Sequence, residues 1–152
     1  MRLTIAAVGR LRDGPMLALY RDYAARLPWT VALKEVEERR KLPAPARVAA
    51  ESRLLAAVIP AGALVVVLDQ RGIALSSEDF AARFGQWQEQ GVGDLAFVIG
   101  GADGLAPEWR RQAKLVLSLG AMTWPHLLVR VMLAEQLFRS HCILSGHPYH
   151  RG

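Results

Sequence analysis

A single cysteine, Cys142, occurs in 152 residues. One thiol closes no internal disulfide, so the chain is expected in a reducing, cytoplasmic setting, with Cys142 as a small core residue. No apolar run approaches a membrane span, so no membrane partner is expected. The opening stretch MRLTIAAVGRLRDG has one early Arg but no long apolar segment or small-residue cleavage site, so no secretory signal is expected. Neither G-x-G-x-x-G nor G-x-x-x-x-G-K-[ST] is found. Their absence argues against a dinucleotide dehydrogenase and a P-loop nucleotide hydrolase. There is no internal repeat, linker or composition break, so residues 1–152 read as one domain, long enough to bury a core.

What is present is an ordinary globular composition, 52% hydrophobic and 22% charged, with a net charge of +5. A basic excess attracts polyanions such as RNA, a signal shared with many proteins that never meet nucleic acid. Strand-like and helix-like patterns alternate. Strands are expected at Arg2 to Val8, Thr30 to Val36, Ala63 to Leu68, Asp94 to Ile99 and Lys114 to Leu119. Helices are expected at Pro15 to Leu27, Ala46 to Ile59, from Ser76–Ser77 to about Gln90, Pro107 to Ala113 and Leu127 to Ile143. Leu42-Pro43-Ala44-Pro45 reads as an exposed loop. Strands separated by helices imply an α/β fold, a mainly parallel sheet with helices on both faces.

Ligands of such sheets sit beyond the carboxyl ends of the strands. Leu68 is followed by Asp69-Gln70-Arg71-Gly72, which reads as a turn. Ile99 is followed by Gly100-Gly101-Ala102-Asp103-Gly104, and Leu119 by Gly120-Ala121-Met122-Thr123-Trp124-Pro125. Each glycine can serve only a tight turn. Together, three neighbouring turns can wall one pocket of backbone amides and apolar groups. Without a lysine, such a pocket suits an adenosine-like ligand better than a triphosphate.

The last helix is apolar almost all round, with Glu135, Gln136, Arg139 and Ser140 as its polar strip. A helix apolar on every side is buried on every side. A symmetric second chain is the expected cover, and burial inside one chain is the alternative. Arg130 breaks the apolar side, with His126 one turn earlier. Its guanidinium needs a partner or a pocket edge, and a structural ion pair also satisfies it. Glu135 and Arg139, four apart, also read as an ordinary surface pair. The tail His147-Pro148-Tyr149-His150-Arg151-Gly152 concentrates two imidazoles, a phenol and a guanidinium. It is read either as a solvated end or as a segment that touches RNA, Tyr149 stacking and His150 and Arg151 reaching phosphate or a reacting edge. Cys142, His147 and His150 lack a clear fourth ligand, so no metal is expected.

The strings FVIGGADGL, LSLGAMTWPHLLVRVMLAEQLFR and GHPYHRG, with A-V-G-R near the start, closely resemble the ribosomal RNA large-subunit methyltransferase H family over essentially the whole chain. The resemblance implies a SPOUT-type α/β knot, with a C-terminal trefoil knot that holds S-adenosyl-L-methionine bent. It implies a homodimer that acts on N3 of a pseudouridine in 23S ribosomal RNA within assembled ribosomes, without a separate RNA-binding domain. Carried onto this chain, the donor pocket would use Leu68, Gly100, Gly101, Leu119, Gly120, Ala121, Met122, Thr123, Trp124 and Pro125. The expected catalytic set is His150 as base, Arg130 or Arg151 stabilising charge on the target base, Tyr149 positioning it, and His126 and Glu135 in support. The tail of one subunit would reach the donor held by the other. The rival expectations are a SPOUT enzyme acting on another RNA and a non-catalytic ribosome-binding factor.

Overall fold

The computed structural model describes residues 1–151. Five strands and five helices alternate along the chain. They are β1 (Arg2–Val8), α1 (Pro15–Ala25), β2 (Thr30–Val36), α2 (Ala44–Val58) and β3 (Leu64–Ala74), then α3 (Ser77–Glu89), β4 (Asp94–Ile99), α4 (Pro107–Gln112), β5 (Leu115–Ser118) and α5 (His126–Ser145). The sheet order is β2-β1-β4-β3-β5, with every neighbouring pair parallel. This is the α/β architecture that the alternating pattern implies.

Side-chain alternation divides the core in two. Leu3, Ile5 and Ala7 of β1, Leu95, Phe97 and Ile99 of β4, and Leu115 and Leu117 of β5 face one way. They meet Tyr20 of α1, Phe80, Phe84 and Trp87 of α3, and Val131, Leu133 and Leu137 of α5. Ala6, Val8, Val67 and Val98 face the other way, onto Leu55 of α2, with Trp109 of α4 packed against them. The strands are apolar on both faces because both faces are covered. Ser76 caps α3, its Oγ accepting from Asp79 N–H at 3.0 Å, with Glu78 and Asp79 favourably placed in the first turn.

Two expectations are corrected. The helix α2 begins at Ala44 rather than Ala46, because Pro45 fits the first helical turn, where no N–H is required. Asp69 to Gly72 is not a turn: β3 continues to Ala74, and its pairing with β5 shifts register between Leu68 and Ile73. At Gly72 an added Cβ would lie 2.4 Å from the Val116 carbonyl oxygen, so only glycine permits this bulge to press on β5. Part of the apolar surface of α5 is covered inside one chain. The helix lies over β1 and β4 and packs against both α1 and α3. Its residues Leu128 and Met132 stay half-buried beside Leu19 and Tyr23 in an open groove of about 550 Å³.

Candidate active site

A cavity of about 740 Å³ opens beyond the carboxyl ends of β4 and β5 and beside the bulged middle of β3. Leu68, Ile99 and Leu117 form its apolar floor. The Gly100–Leu105 segment forms one wall, and Leu119, Gly120, Met122, Thr123, Trp124 and Pro125 form the other. Nine of the ten residues expected to hold a donor therefore line one space. Ala121 does not; its carbonyl accepts from Gln70 Nε2 at 3.1 Å. Gln70 also donates to Thr123 Oγ1 at 3.3 Å, so the β3 bulge anchors the loop after β5. Within that loop Trp124 Nε1 donates to the Leu119 carbonyl at 3.2 Å. On the opposite wall, a Cβ at Gly100 would sit 2.8 Å from Leu105 Cγ and 3.0 Å from the Gly104 carbonyl carbon. The glycine wall is thus bare backbone folded tightly on itself, and Gly104 N–H donates to the Gly101 carbonyl at 3.0 Å.

His126 opens α5 and lines the same cavity. Burial, then the charge of Arg130, lowers its pKa below the ordinary imidazole value, which favours the neutral ring. Arg130 does not face the cavity. It is 0% exposed; Nη1 donates to the Gly9 carbonyl at 2.9 Å and to Glu35 Oε2 at 2.6 Å, and Nη2 donates to the Val8 carbonyl at 2.8 Å. Glu35 Oε2 also accepts from Leu11 N–H at 2.7 Å. The guanidinium therefore ties α5 to the ends of β1 and β2. Its Nε is buried without a hydrogen-bond partner, and the structural ion pair with Glu35 is the arrangement found.

The tail gathers on α5, away from the cavity. Tyr149 packs edge-on against Phe138, with ring centroids 4.7 Å apart, and its hydroxyl donates to Glu135 Oε1 at 3.0 Å. Arg139 bonds to the same Glu135 oxygen and lies 4.9 Å from the Tyr149 ring centroid. Burial, then the Tyr23 hydroxyl, raises the Tyr149 pKa, so the phenol keeps its proton. Both nitrogens of His150 are engaged: Nδ1 lies 3.1 Å from Arg139 Nη1, and Nε2 lies 2.7 Å from Glu78 Oε1. Arginine only donates, so Nδ1 accepts and Nε2–H donates to Glu78. Arg151 is exposed. Cys142 is buried.

A family model described as "Predicted SPOUT methyltransferase" matches residues 1–150. The ribosomal RNA large subunit methyltransferase H of Rhodospirillum centenum is 56% identical over 151 residues, covering 99% of either chain. The protein of the same name from Paramagnetospirillum magneticum is 54% identical over 151 residues, again with 99% coverage of each. The chain belongs to the ribosomal RNA large subunit methyltransferase H family. Solved SPOUT-like structures share its fold. A probable methylase family protein from Haemophilus influenzae superposes with a TM-score of 0.55 at 12% identity, covering 99% of this chain and 70% of that one. The SpoU methyltransferase AviRb from Streptomyces viridochromogenes gives 0.50 at 17% identity, covering 95% and 61%.

In this methyltransferase H family member, several cavity residues escape sequence reasoning. Asp69, Arg71, Asp103 and Arg110 all line the space. Arg110 Nη1 donates to Asp69 Oδ2 at 2.9 Å, and Asp103 pairs with Arg47 at 3.4 Å. Asp69 and Arg71 stood in the supposed turn, so their presence at a strand end was the available signal. Nothing in the Pro107–Gln112 helix marks Arg110, because its partner lies 41 residues earlier.

Proposed function

We propose that this chain transfers the methyl group of S-adenosyl-L-methionine to N3 of a pseudouridine in 23S ribosomal RNA on assembled ribosomes, acting as a homodimer. Family membership gives the coarser statement, a methyltransferase of large-subunit ribosomal RNA. One observation carries the donor assignment: the glycine-walled cavity at three adjacent strands. Its 740 Å³ lies within the range of small-ligand sites. Its glycine wall is bare backbone that folds tightly only because Gly100 and Gly101 carry no Cβ. No lysine lines it, and of its two arginines Arg110 is paired with Asp69 while Arg71 is exposed, a lining with little charge for a polyphosphate.

S-adenosyl-L-methionine supplies a methyl group on a positively charged sulfur. Leu68, Gly100, Gly101 and the Leu119–Pro125 loop hold and orient it, Trp124 and the 72%-exposed Met122 standing at the mouth. Alignment of acceptor and methyl at about 3–3.5 Å supplies several kcal/mol. The N3 proton must leave before N3 attacks, and His150 is the proposed base. In one chain Arg139 occupies the Nδ1 lone pair, so His150 becomes competent when the tail leaves Arg139 and Glu78 and docks over the donor cavity of the second subunit. Arg151 then stabilises the negative charge that develops on O2 and O4. Tyr149 stacks on the target base, and Glu135 holds the tail ready. The half-buried Leu128 and Met132, with exposed Leu19, form the apolar groove proposed to meet the second copy. Arg130 is a positioning residue, and the C-terminal knot expected of the family would keep the loop after β5 closed on the donor. The basic net charge favours approach to ribosomal RNA.

The test is incubation with labelled S-adenosyl-L-methionine and ribosomes lacking the modification, followed by mapping of the labelled nucleotide. Label at N3 of one pseudouridine in 23S RNA is expected. Label in purified transfer RNA would redirect the enzyme to another substrate. Absence of donor binding would leave a ribosome-binding factor. Removing residues after Leu144 is expected to abolish transfer while leaving donor binding, and full activity of that truncation would dismiss the tail.

A further inference from the structure

A second cavity of about 430 Å³ lies at the carboxyl ends of β1 and β2, lined by Val8, Gly9, Arg12, Glu37, Glu38 and Glu51 among others. It abuts the donor cavity across a thin partition. Gly101 belongs to the donor side, yet a Cβ there would meet Val8 Cγ1 at 2.9 Å and both carboxyl oxygens of Glu51 at 3.5 Å. Gly9 belongs to the second side, and a Cβ there would lie 3.1 Å from Nε2 of His126 on the donor side. At these two glycines the wall between the cavities is only backbone thick, with Val8 and Glu51 against Gly101 and His126 against Gly9.

Glu51 stands out in this cavity. It is 7% exposed, and its Oε2 is buried without a hydrogen-bond partner. Its carboxylate neighbours are spent: Glu38 accepts from Arg40 at 3.0 Å, and Glu37 pairs with Arg10 at 3.3 Å. The nearest cation on its own helix, Arg47, donates to Asp103 at 3.4 Å and to the Leu42 carbonyl at 3.0 Å. Burial, then the charge of Asp103, raises the Glu51 pKa. A buried acceptor without a donor costs stability unless something else supplies the N–H.

We propose that this second cavity receives the target base and that Glu51 accepts a hydrogen bond from N1–H of pseudouridine. The inference rests on the function proposed above. An acceptor atom within about 3–3.5 Å of the donor methyl requires its ring to enter a space that adjoins the donor cavity. A target base swung out of the RNA stack fits such a space. Its N3 faces the donor, so the carboxyl on the far side of the partition is left for another ring group. Pseudouridine is joined to ribose through C5 and keeps a proton on N1; uridine has its glycosidic bond there and offers none. A buried acceptor answered by N1–H is left unpaired by uridine. Sites built to hydrogen-bond a substrate N–H or O–H reject the analogue lacking it by about 10⁴–10⁵-fold. Arg12, exposed at the rim, is placed to meet the flanking phosphate.

The experiment compares the full-length chain with Glu51→Met and Glu51→Gln on two ribosome preparations, carrying pseudouridine or uridine at the target position. Donor binding is measured by calorimetry alongside. Both variants should bind S-adenosyl-L-methionine within twofold of the unaltered chain. Glu51→Met should lose at least ~100-fold in kcat/KM on pseudouridine and almost nothing on uridine, so that the preference collapses. Glu51→Gln, with a neutral acceptor in place, should lose about tenfold of the preference; it decides the matter if Glu51→Met does not fold. Unchanged preference in either folded variant overturns the inference. So does equal use of both ribosomes by the unaltered chain, or a loss of donor affinity that matches the loss of rate. An unaltered chain that methylates neither ribosome defeats the underlying function instead.

Discussion

Replacing Arg130 with methionine separates a structural role from a chemical one. Methionine keeps most of the volume but deletes three donated hydrogen bonds, to the Val8 and Gly9 carbonyls and to Glu35. Glu35 then keeps only the Leu11 N–H as partner for Oε2, in a half-buried position. Breaking a buried pair from one side costs about 3–5 kcal/mol, chiefly from the charge left behind. At about 2.1 cal/mol/K per residue, 152 residues unfold with roughly 320 cal/mol/K. A loss of 4 kcal/mol therefore lowers Tm by about 12 °C. Removing both charges, as Arg130→Met with Glu35→Gln, should be milder than the two single changes added together, by about 1–3 kcal/mol. The assay is urea and thermal unfolding at one fixed protein concentration, since the stability of the proposed dimer would depend on it. Methylation is measured well below the lowered Tm. A stability loss under 1 kcal/mol, combined with a thousandfold drop in kcat, would refute the reasoning and return Arg130 to the reacting centre.

Three further outcomes follow from the geometry. Gly100→Ala should abolish donor binding in calorimetry, because its Cβ meets the Leu105 side chain at 2.8 Å and Gly104 backbone at 3.0 Å. Gln70→Ala removes the two bonds that anchor the loop after β5; at about 1 kcal/mol the KM for the donor should rise about fivefold with kcat little changed. His126 binds a proton less readily in the folded chain than in the unfolded one, where imidazole titrates near about 6.5. Its contribution is therefore intact above that value and is lost as pH falls below it. His126→Gln should flatten the decline in urea-unfolding free energy between pH 7.5 and 5, and an unchanged slope would rule out His126 as its source.

The order of elements was legible because each strand is a short apolar run and each helix begins at a recognisable boundary, such as Ser76 with Glu78 and Asp79 behind it. The cavity proposed to hold the donor was legible as one space for a related reason. In a parallel sheet, chain position alone tells which loops share an edge, so the segments after Leu68, Ile99 and Leu119 could be grouped in advance. Pairings distant in sequence were not legible. Arg130 meets Glu35 across 95 residues, and the Asp69–Arg110 pair spans 41. The β3 bulge was misread because Asp-Gln-Arg-Gly has turn composition, whereas Gly72 serves close approach to β5. Nothing in the sequence singles out Glu51 on α2; only the fold leaves its Oε2 without a donor.

The strand order β2-β1-β4-β3-β5 also bears on how the protein is made. Every pairing is parallel, so no local hairpin exists to start the sheet, and each strand waits for a distant partner. Such topologies fold slowly. The loop that walls the cavity and the helix that covers the sheet are both synthesised after all five strands. A nascent chain therefore carries no finished pocket until its last loop and helix have been made.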